Sequence, residues 1–244
     1  MKSVATIEAR MRSTRLPGKV LKPVLGRPLL ELMVERIRRS ERIDEIVIAT
    51  TDDASCDPIE ALAQQIGVSV FRGSEDDVLG RVLGAAQSAQ ADLIVELTGD
   101  CPLLDPGLLD RVIETYLAGD ADYCSNRMLR THPIGMDIQV FPTAVLEQVA
   151  GLTSDPRDRE HVSIYIYEHP ERFRLLNFAE SLPPSAPDLR LTLDTPLDYE
   201  LIQTVFERLY PRNPHFGLPE MLDLFAREPA LAAVNEASKP KPGR

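Results

Sequence analysis

A chain of 244 residues, 43% hydrophobic and 27% charged, has enough apolar sequence for one large α/β core or two small ones, and this is not the composition of a disordered protein. Its net charge of −11 speaks against wrapping nucleic acid, which needs a broad basic face to neutralise phosphates. The longest apolar runs are far shorter than a membrane span, and residues 1–8 are too short and too soon charged to read as a signal peptide. Three scattered cysteines, Cys56, Cys101 and Cys124, show no metal-ligand spacing, so a reduced, cytoplasmic protein is expected.

In chain order, residues 3–7 read as a buried strand. Residues 28–39 read as a helix, with Leu29, Leu30, Met33, Val34 and Ile37 at helical spacing. A second strand is expected at 45–49. Asp57-Pro58-Ile59-Glu60 then marks a helix start, with Asp as N-cap and Pro at the first helical position. That helix ends near Gly67. A third strand follows at 68–71, a third helix at 78–90 and a fourth strand at 92–97. Asp105-Pro106 repeats the Asp-Pro start for a helix through 117. Beyond residue 120 the pattern loosens. Strands are expected at 138–141, 173–178 and 189–193, and a helix at 158–168. Another helix follows Asp194-Thr195-Pro196, with Leu197, Leu201, Ile202, Val205 and Leu209 on one face.

Strand–helix alternation with short connections implies parallel strands joined by right-handed crossovers. The expected architecture is an open, twisted, mostly parallel sheet with helices on both faces. It forms a single α/β domain over residues 1–237, followed by a flexible tail at 238–244. In such sheets ligands bind beyond the carboxyl ends of the strands. The residues just after the first and fourth strands are therefore the ones to read for chemistry.

Directly after the first strand runs Ala9-Arg10-Met11-Arg12-Ser13-Thr14-Arg15-Leu16-Pro17-Gly18-Lys19. No acidic residue lies between Glu8 and Arg27, and a local basic loop on an acidic chain suits a small polyanion. It is not a Walker loop: Ser13 stands where the first glycine would fall, and Val20 follows the lysine. It is not a dinucleotide fingerprint either, since no G-x-G occurs. The layout nevertheless suits a triphosphate. Small residues let backbone N–H groups approach phosphate, Arg10, Arg15 and Lys19 supply charge, and Gly18 permits the tight turn. The alternative is a solvated basic loop.

This segment, R-x-x-S-T-R-L-P-G-K, resembles the N-terminal signature of the cytidylyltransferase family, in particular its spore coat polysaccharide biosynthesis branch. Three further segments resemble the same family in the same order: Val70-Phe71-Arg72-Gly73-Ser74-Glu75-Asp76-Asp77-Val78-Leu79, Leu97-Thr98-Gly99-Asp100-Cys101-Pro102-Leu103 and Leu193-Asp194-Thr195-Pro196-Leu197-Asp198. The resemblance implies a Rossmann-like, three-layer fold of the nucleotide-diphospho-sugar transferase type. It also implies an enzyme that couples CTP to an acidic sugar or similar hydroxylated acceptor, with Mg²⁺, and releases pyrophosphate.

Site residues follow from the same resemblance. Ala9, Arg10, Ser13, Arg15 and Lys19 would contact the nucleotide, with Arg72 and Ser74 from the turn after the third strand. Arg15, Lys19 and Asp100 would be catalytic, Lys19 by stabilising charge on the α-phosphate. Asp100 and Asp194 would hold Mg²⁺. Their structural alternatives are a turn aspartate and a helix-start aspartate, although Thr195 is the better N-cap; Asp198, at the third helical position, suits the helix dipole. Arg81 either faces the nucleotide or pairs with Asp77 one turn earlier. Asp137, Arg159 and His161 are acceptor candidates, an arginine being suited to a carboxylate. Glu8 and Arg12 depart from the family, which often has an uncharged polar and a smaller residue there; Arg12 is expected to face solvent. The resemblance also implies a homodimer through residues 125–175.

The expected reaction is direct displacement at the α-phosphorus by an acceptor hydroxyl, with alignment and charge stabilisation supplying the catalysis. No residue stands out as a general base. Two rival readings remain: a nucleotidyltransferase using another nucleoside triphosphate or a phosphonate or phosphorylated alcohol, and a catalytically idle nucleotide-binding subunit.

Overall fold

The computed structural model describes residues 1–238. Strand β1 (Ser3–Glu8) is buried along all but its last residue. The basic loop follows, then a small hairpin, β2 (Pro23–Val24) and β3 (Arg27–Pro28), which turns through Leu25 and Gly26 at φ 53 and 75. Helix α1 (Leu29–Ile37), strand β4 (Glu45–Thr51), helix α2 (Asp57–Ile66), strand β5 (Ser69–Gly73), helix α3 (Val78–Ser88), strand β6 (Leu93–Thr98) and helix α4 (Pro106–Ala118) continue the alternation. The second half holds β7 (Tyr123–Ser125), β8 (Gln139–Pro142), α5 (Thr143–Leu152), α6 (Pro156–Glu160), α7 (Ile164–Glu168), β9 (Leu175–Asn177), α8 (Pro196–Leu209) and α9 (Leu218–Arg227).

Seven strands form one sheet in the order β5-β4-β1-β6-β8-β7-β9. The four from β5 to β6 are parallel, β8 is antiparallel to both of its neighbours, and β9 runs parallel to β7. The chain builds outward from β1 through β4 to β5, then returns to the other side of β1 to lay down β6. That reversal places the switch point between β1 and β6, where open sheets bind their ligands. The architecture is the Rossmann-like, mostly parallel sheet with helices on both faces.

Side-chain alternation along the strands divides the core. Ala5, Ile7, Ile46, Ile48, Val95 and Leu97 face the layer of α1, α2, α4, α8 and α9. Val4, Val47, Ala49 and Ile94 face α3, α5 and α7. Each fully buried Leu, Ile or Val contributes roughly 1.5–3 kcal/mol relative to exposure, so both faces are strongly specified and a one-residue register slip would exchange them. Asp105 caps α4 by accepting from the Leu108 N–H, as its Asp-Pro sequence predicts, and its second oxygen accepts from Leu218 at the start of α9.

Several expectations need correction. Residues 158–168 are not one helix: α6 and α7 are separated at Val162, a buried β-branched residue at φ 51, which turns into the core while Ser163 bonds Gln139. Residues 189–193 are extended but lie outside the seven-stranded sheet. They are held by the Ile134 N–H on the Leu189 carbonyl, the Leu191 N–H on the Ile134 carbonyl, and the Leu193 N–H on the Asp100 carbonyl. Strand β7, the small hairpin and helices α5 and α9 went unread. Of the proposed tail, Ser238 belongs to a short turn, Glu236–Ser238, and its hydroxyl bonds that of Thr195; residues 239–244 lie outside the described residues.

Candidate active site

A cleft of about 1280 Å³ opens at the carboxyl ends of β1 and β6. The basic loop forms its floor and one wall, the turn before α3 a second, and Pro156, Glu160 and His161 a third. The loop is shaped by its own sequence. Gly18 sits at φ 65, its N–H bonds the Met11 carbonyl, and Leu16 and Val20 are buried as anchors. Gly99 lets the two strand ends close up: its N–H bonds the Glu8 carbonyl at 2.8 Å, and a Cβ there would meet that oxygen at 2.9 Å.

Lys19 is the hub. Its Nζ donates to Asp100 Oδ2 and to Asp194 Oδ1, each at 2.9 Å. The other oxygen of each aspartate has a different partner: Asp100 Oδ1 accepts from the Thr98 hydroxyl at 2.6 Å, and Asp194 Oδ2 from Arg190 Nη2 at 2.7 Å. Arg15 approaches Asp194 Oδ1 at 3.4 Å. Burial alone would depress the Lys19 ammonium, but Asp100 and Asp194 outweigh it and hold its pKa above the ordinary value. Burial likewise works against the Asp194 carboxylate, yet Lys19, Arg190 and Arg15 hold its pKa below the ordinary range.

Asp194 is anchored from behind. Arg190 also bonds Asp198 at 3.1 Å, and Asp198 closes a capping box with Thr195 at the start of α8. Asn235, 1% exposed, donates to Asp198 Oδ1 at 2.8 Å and to the Arg190 carbonyl at 2.9 Å. Capping duty thus falls to Thr195 and Asp198, which leaves the Asp194 side chain to face Lys19.

Ala9, Arg10, Ser13, Arg15, Lys19, Arg81, Asp100, His161 and Asp194 all line the cleft. Arg12, expected to face solvent, is 62% exposed by side chain yet bridges the cleft mouth to Asp53 at 2.8 Å and Glu75 at 3.2 Å. Arg10 pairs with the same Glu75 at 3.4 Å. Arg81 is 3% exposed and donates to the Ser74 carbonyl. Its pairing with Asp77 does not form, because Asp77 caps α3 through the Gly80 N–H and bonds Arg159 at 2.7 Å.

Four candidates lie elsewhere. Arg72 turns away to the carbonyls of Thr51 and Asp53 and to Asp57 and Glu60, pinning the start of α2 to the end of β4. The Ser74 hydroxyl accepts from the N–H groups of Asp76 and Asp77, shaping the turn. Asp137 pairs with Arg130 at 2.7 Å, and Arg159 is committed to Asp77. Of the three acceptor candidates, only His161 lines the cleft.

One pair escaped the sequence reading. Glu8 in the cleft and Glu96 beneath it belong to adjacent strands and lie on the same face of the sheet. Glu8 Oε1 and Glu96 Oε2 are buried with no donor among the described residues, an arrangement that a proton on one of the two carboxyls would relieve. Burial, opposed by Arg81 and aided by Asp100, raises the Glu8 pKa to about 7. Burial and then Glu8 push Glu96 well above the carboxylate range. Glu96 Oε1 accepts from Gln139 Nε2 at 2.9 Å, and Gln139 Oε1 accepts from Tyr123 and Ser163. The available signal was a glutamate on the same face of two neighbouring, otherwise apolar strands.

Among the described residues no group of three or more His, Cys, Asp and Glu is arranged to hold a metal. Asp100 and Asp194 are two hard carboxylates already gathered around one cation, Lys19, and such a donor set fits Mg²⁺, which takes few protein oxygens and completes its shell with water and phosphate. No helix among the described residues is long and apolar enough to cross a membrane.

Comparison with known proteins agrees with this geometry. The cytidylyltransferase family matches residues 4–215. The chain is 36% identical to the spore coat polysaccharide biosynthesis protein SpsF of Bacillus subtilis, over 95% of this chain and 97% of that one. It is 33% identical to a 3-deoxy-manno-octulosonate cytidylyltransferase of Geobacter sulfurreducens, over 80% and 85%. A solved cytidylyltransferase from Leptospira borgpetersenii superposes with a TM-score of 0.89 at 34% identity, covering 95% of this chain and 97% of that one. A CMP:2-keto-3-deoxy-manno-octonic acid synthetase solved with CTP shares the fold at TM-score 0.65 and 19% identity, covering 85% and 99%. The chain belongs to the cytidylyltransferase family: it is a nucleotidyltransferase that moves CMP from CTP onto a hydroxylated acceptor.

Proposed function

We propose that the acceptor is an acidic sugar and that Mg²⁺ is held between Asp100 and Asp194. The observation that carries this reading is Lys19 bracketed by the two aspartates at the foot of the basic loop, 2.9 Å from each. The names of the relatives, one in polysaccharide biosynthesis and one a 3-deoxy-manno-octulosonate cytidylyltransferase, favour a sugar acid.

In this reading the triphosphate lies on residues 9–19, where Arg10, Arg15 and Lys19 replace their present carboxylate partners with phosphate oxygens. Arg81 borders the nucleoside, and His161 with Glu160 forms the wall on the acceptor side. The acceptor oxygen bonds the α-phosphorus, the bond from that phosphorus to the pyrophosphate oxygen breaks, and the hydroxyl proton is released. Lys19 stabilises charge as it grows on the α-phosphate, and the loop arginines hold the leaving pyrophosphate. When bound, Mg²⁺ supplies further charge neutralisation on the phosphates. The working unit is taken as a single domain of residues 1–237, in the cytoplasm. A homodimer through residues 125–175 is part of the same reading; Met128 and Leu129 are exposed there.

The test is a pyrophosphate-release screen of four nucleoside triphosphates against sugar acids, neutral sugars, sugar phosphates and phosphonates. CTP with a sugar acid is expected to give the highest kcat/KM. Turnover of a phosphonate or phosphorylated alcohol alone would replace the acid-sugar reading.

A further inference from the structure

The ammonium of Lys19 and a divalent cation cannot occupy the same place. Lys19 Nζ lies on Asp100 Oδ2 and Asp194 Oδ1, the two aspartate oxygens left over once Thr98 has taken Asp100 Oδ1 and Arg190 has taken Asp194 Oδ2. Those remaining oxygens are the natural inner ligands for a metal between the two residues. A divalent ion there would stand about 3 Å or less from the ammonium, and at that range two cations repel by several kcal/mol even at an effective dielectric of 20.

We infer that Lys19 is the resident counter-ion of the metal site, filling the position between Asp100 and Asp194 until a nucleoside triphosphate draws it away and a divalent cation takes its place. This inference rests on the proposal that these two aspartates hold the metal. Three features of the site support an exchange. Lys19 follows Gly18 in a single short turn and carries its charge on a flexible four-carbon stem, so the ammonium can swing while the backbone stays. Arg190, by contrast, is 6% exposed and fixed between Asp194 and Asp198, so Asp194 keeps one counter-ion throughout. The neighbouring cations of the basic loop are likewise held by carboxylates, Arg10 by Glu75 and Arg12 by Glu75 and Asp53, so an incoming polyanion meets a set of cations that can all exchange carboxylate for phosphate.

The consequence is a coupling written into the binding order. Without nucleotide the metal must displace a well-bonded lysine and leave it unpartnered. With nucleotide the lysine moves to phosphate, and the two aspartate oxygens are released to the metal at the same moment. Metal and nucleotide therefore bind with positive cooperativity, and by linkage each strengthens the other equally.

Mn²⁺ is the probe, titrated into the chelator-stripped full-length chain and followed by calorimetry and electron paramagnetic resonance. Wild type is expected to bind Mn²⁺ weakly alone and much more tightly with CTP. Lys19→Met is expected to bind Mn²⁺ without nucleotide by roughly tenfold or more tighter than wild type, a coupling in the ordinary range. Its melting temperature should drop in EDTA and recover with Mn²⁺, while that of wild type without nucleotide barely responds. Lys19→Gln, which keeps a polar head, provides the same reading should the Met variant fail to fold. If both variants bind Mn²⁺ no better than wild type while wild type still takes up Mn²⁺ with CTP and Asp194→Asn abolishes that uptake, the metal site stands and the counter-ion role is overturned. If uptake with CTP is indifferent to both Asp100→Asn and Asp194→Asn, the metal assignment fails and the counter-ion role fails with it.

Discussion

Asp100 with Asp194, and Glu8 with Glu96, are two carboxylate pairs near the carboxyl ends of β1 and β6, and the chain accommodates them by different means. The aspartates stand on loops at the rim and are matched by full cations, Lys19 and Arg190, with Arg15 nearby. The glutamates stand on strands, Glu96 only 4% exposed, and burial instead raises the pKa of both, which favours holding a proton over holding a cation. The difference is one of exchange. A proton on a buried carboxyl leaves with rising pH. A lysine whose pKa is held above its ordinary value stays charged across the physiological range. The lysine stands in the open cleft, and Glu96 lies in the buried layer beneath it.

The largest effect should come from breaking the aspartate pair. Asp100→Asn or Asp194→Asn is expected to lower kcat by roughly 10³-fold or more, on the scale of removing a charged transition-state contact, with circular dichroism unchanged. Pyrophosphate release under saturating CTP measures it, and a variant within tenfold of wild type would remove the aspartates from the chemistry. Lys19→Ala comes next, with a loss in kcat of about 10²-fold and a smaller change in the KM for CTP, because the contact is strongest as charge develops. A loss confined to KM would make Lys19 a binding residue only.

The glutamate pair should register in stability. Glu8 titrates near 7 in the folded chain against 4.5 as its ordinary value, so the native state favours the protonated form. That contribution is fully present below the unfolded value and is lost as pH rises through the folded one; stability should therefore fall between about pH 4.5 and pH 7 and beyond as Glu96 follows. Glu8→Gln removes this slope, and its advantage over wild type at pH 8.5 compared with pH 5 should reach ~2 kcal/mol, from the size of the shift. Denaturant melts at the two pH values decide it; parallel slopes in wild type and variant would mean that Glu8 holds no such proton. The smallest effect is expected from Arg72→Ala. Since Arg72 pins α2 and not the cleft, the melting temperature should drop slightly while the KM for CTP stays within about twofold, as for a partly exposed ion pair. A tenfold rise in that KM would return Arg72 to the nucleotide.

The first half of the chain was legible because its parallel strands are mostly apolar and alternate with amphipathic helices, and Asp105-Pro106 marks the start of α4; at α2 the Asp-Pro pair falls one residue inside the helix, whose N-cap is Cys56 and not Asp57. The meeting of Lys19, Asp100 and Asp194 was suggested by motif order, but only Asp100 follows a strand of the sheet, β6; Lys19 lies in a turn and Asp194 after an extended segment outside the sheet. What escaped was decided by tertiary partners. Helix α5 spreads Ala, Val and Leu around its whole circumference, although only Thr143, Leu146 and Val149 are buried, so its period is blurred. Helix α9 is the exception: its stripe of Leu218, Met221, Leu224 and Phe225 lies at helical spacing in the sequence, yet it went unread. The break at Val162 has no local signal, since no glycine marks it. Arg72 and Arg159 looked like anion ligands by type, but which carboxylate an arginine meets depends on the fold.

Asn235 ties the end of the described chain to the site with two hydrogen bonds, to Asp198 and to the Arg190 carbonyl. An expression boundary drawn after residue 234 would look harmless, since it falls beyond α9 and spares every residue of the cleft. It would nevertheless strip the Arg190 carbonyl of its side-chain donor, a cost of ~1–3 kcal/mol, leave Asp198 Oδ1 with Arg190 alone, and loosen the clamp that aims Asp194 at Lys19. A truncated preparation could then melt only a few degrees lower and still misreport metal affinity, so any titration of this enzyme should be made on protein that retains Asn235 and Ser238.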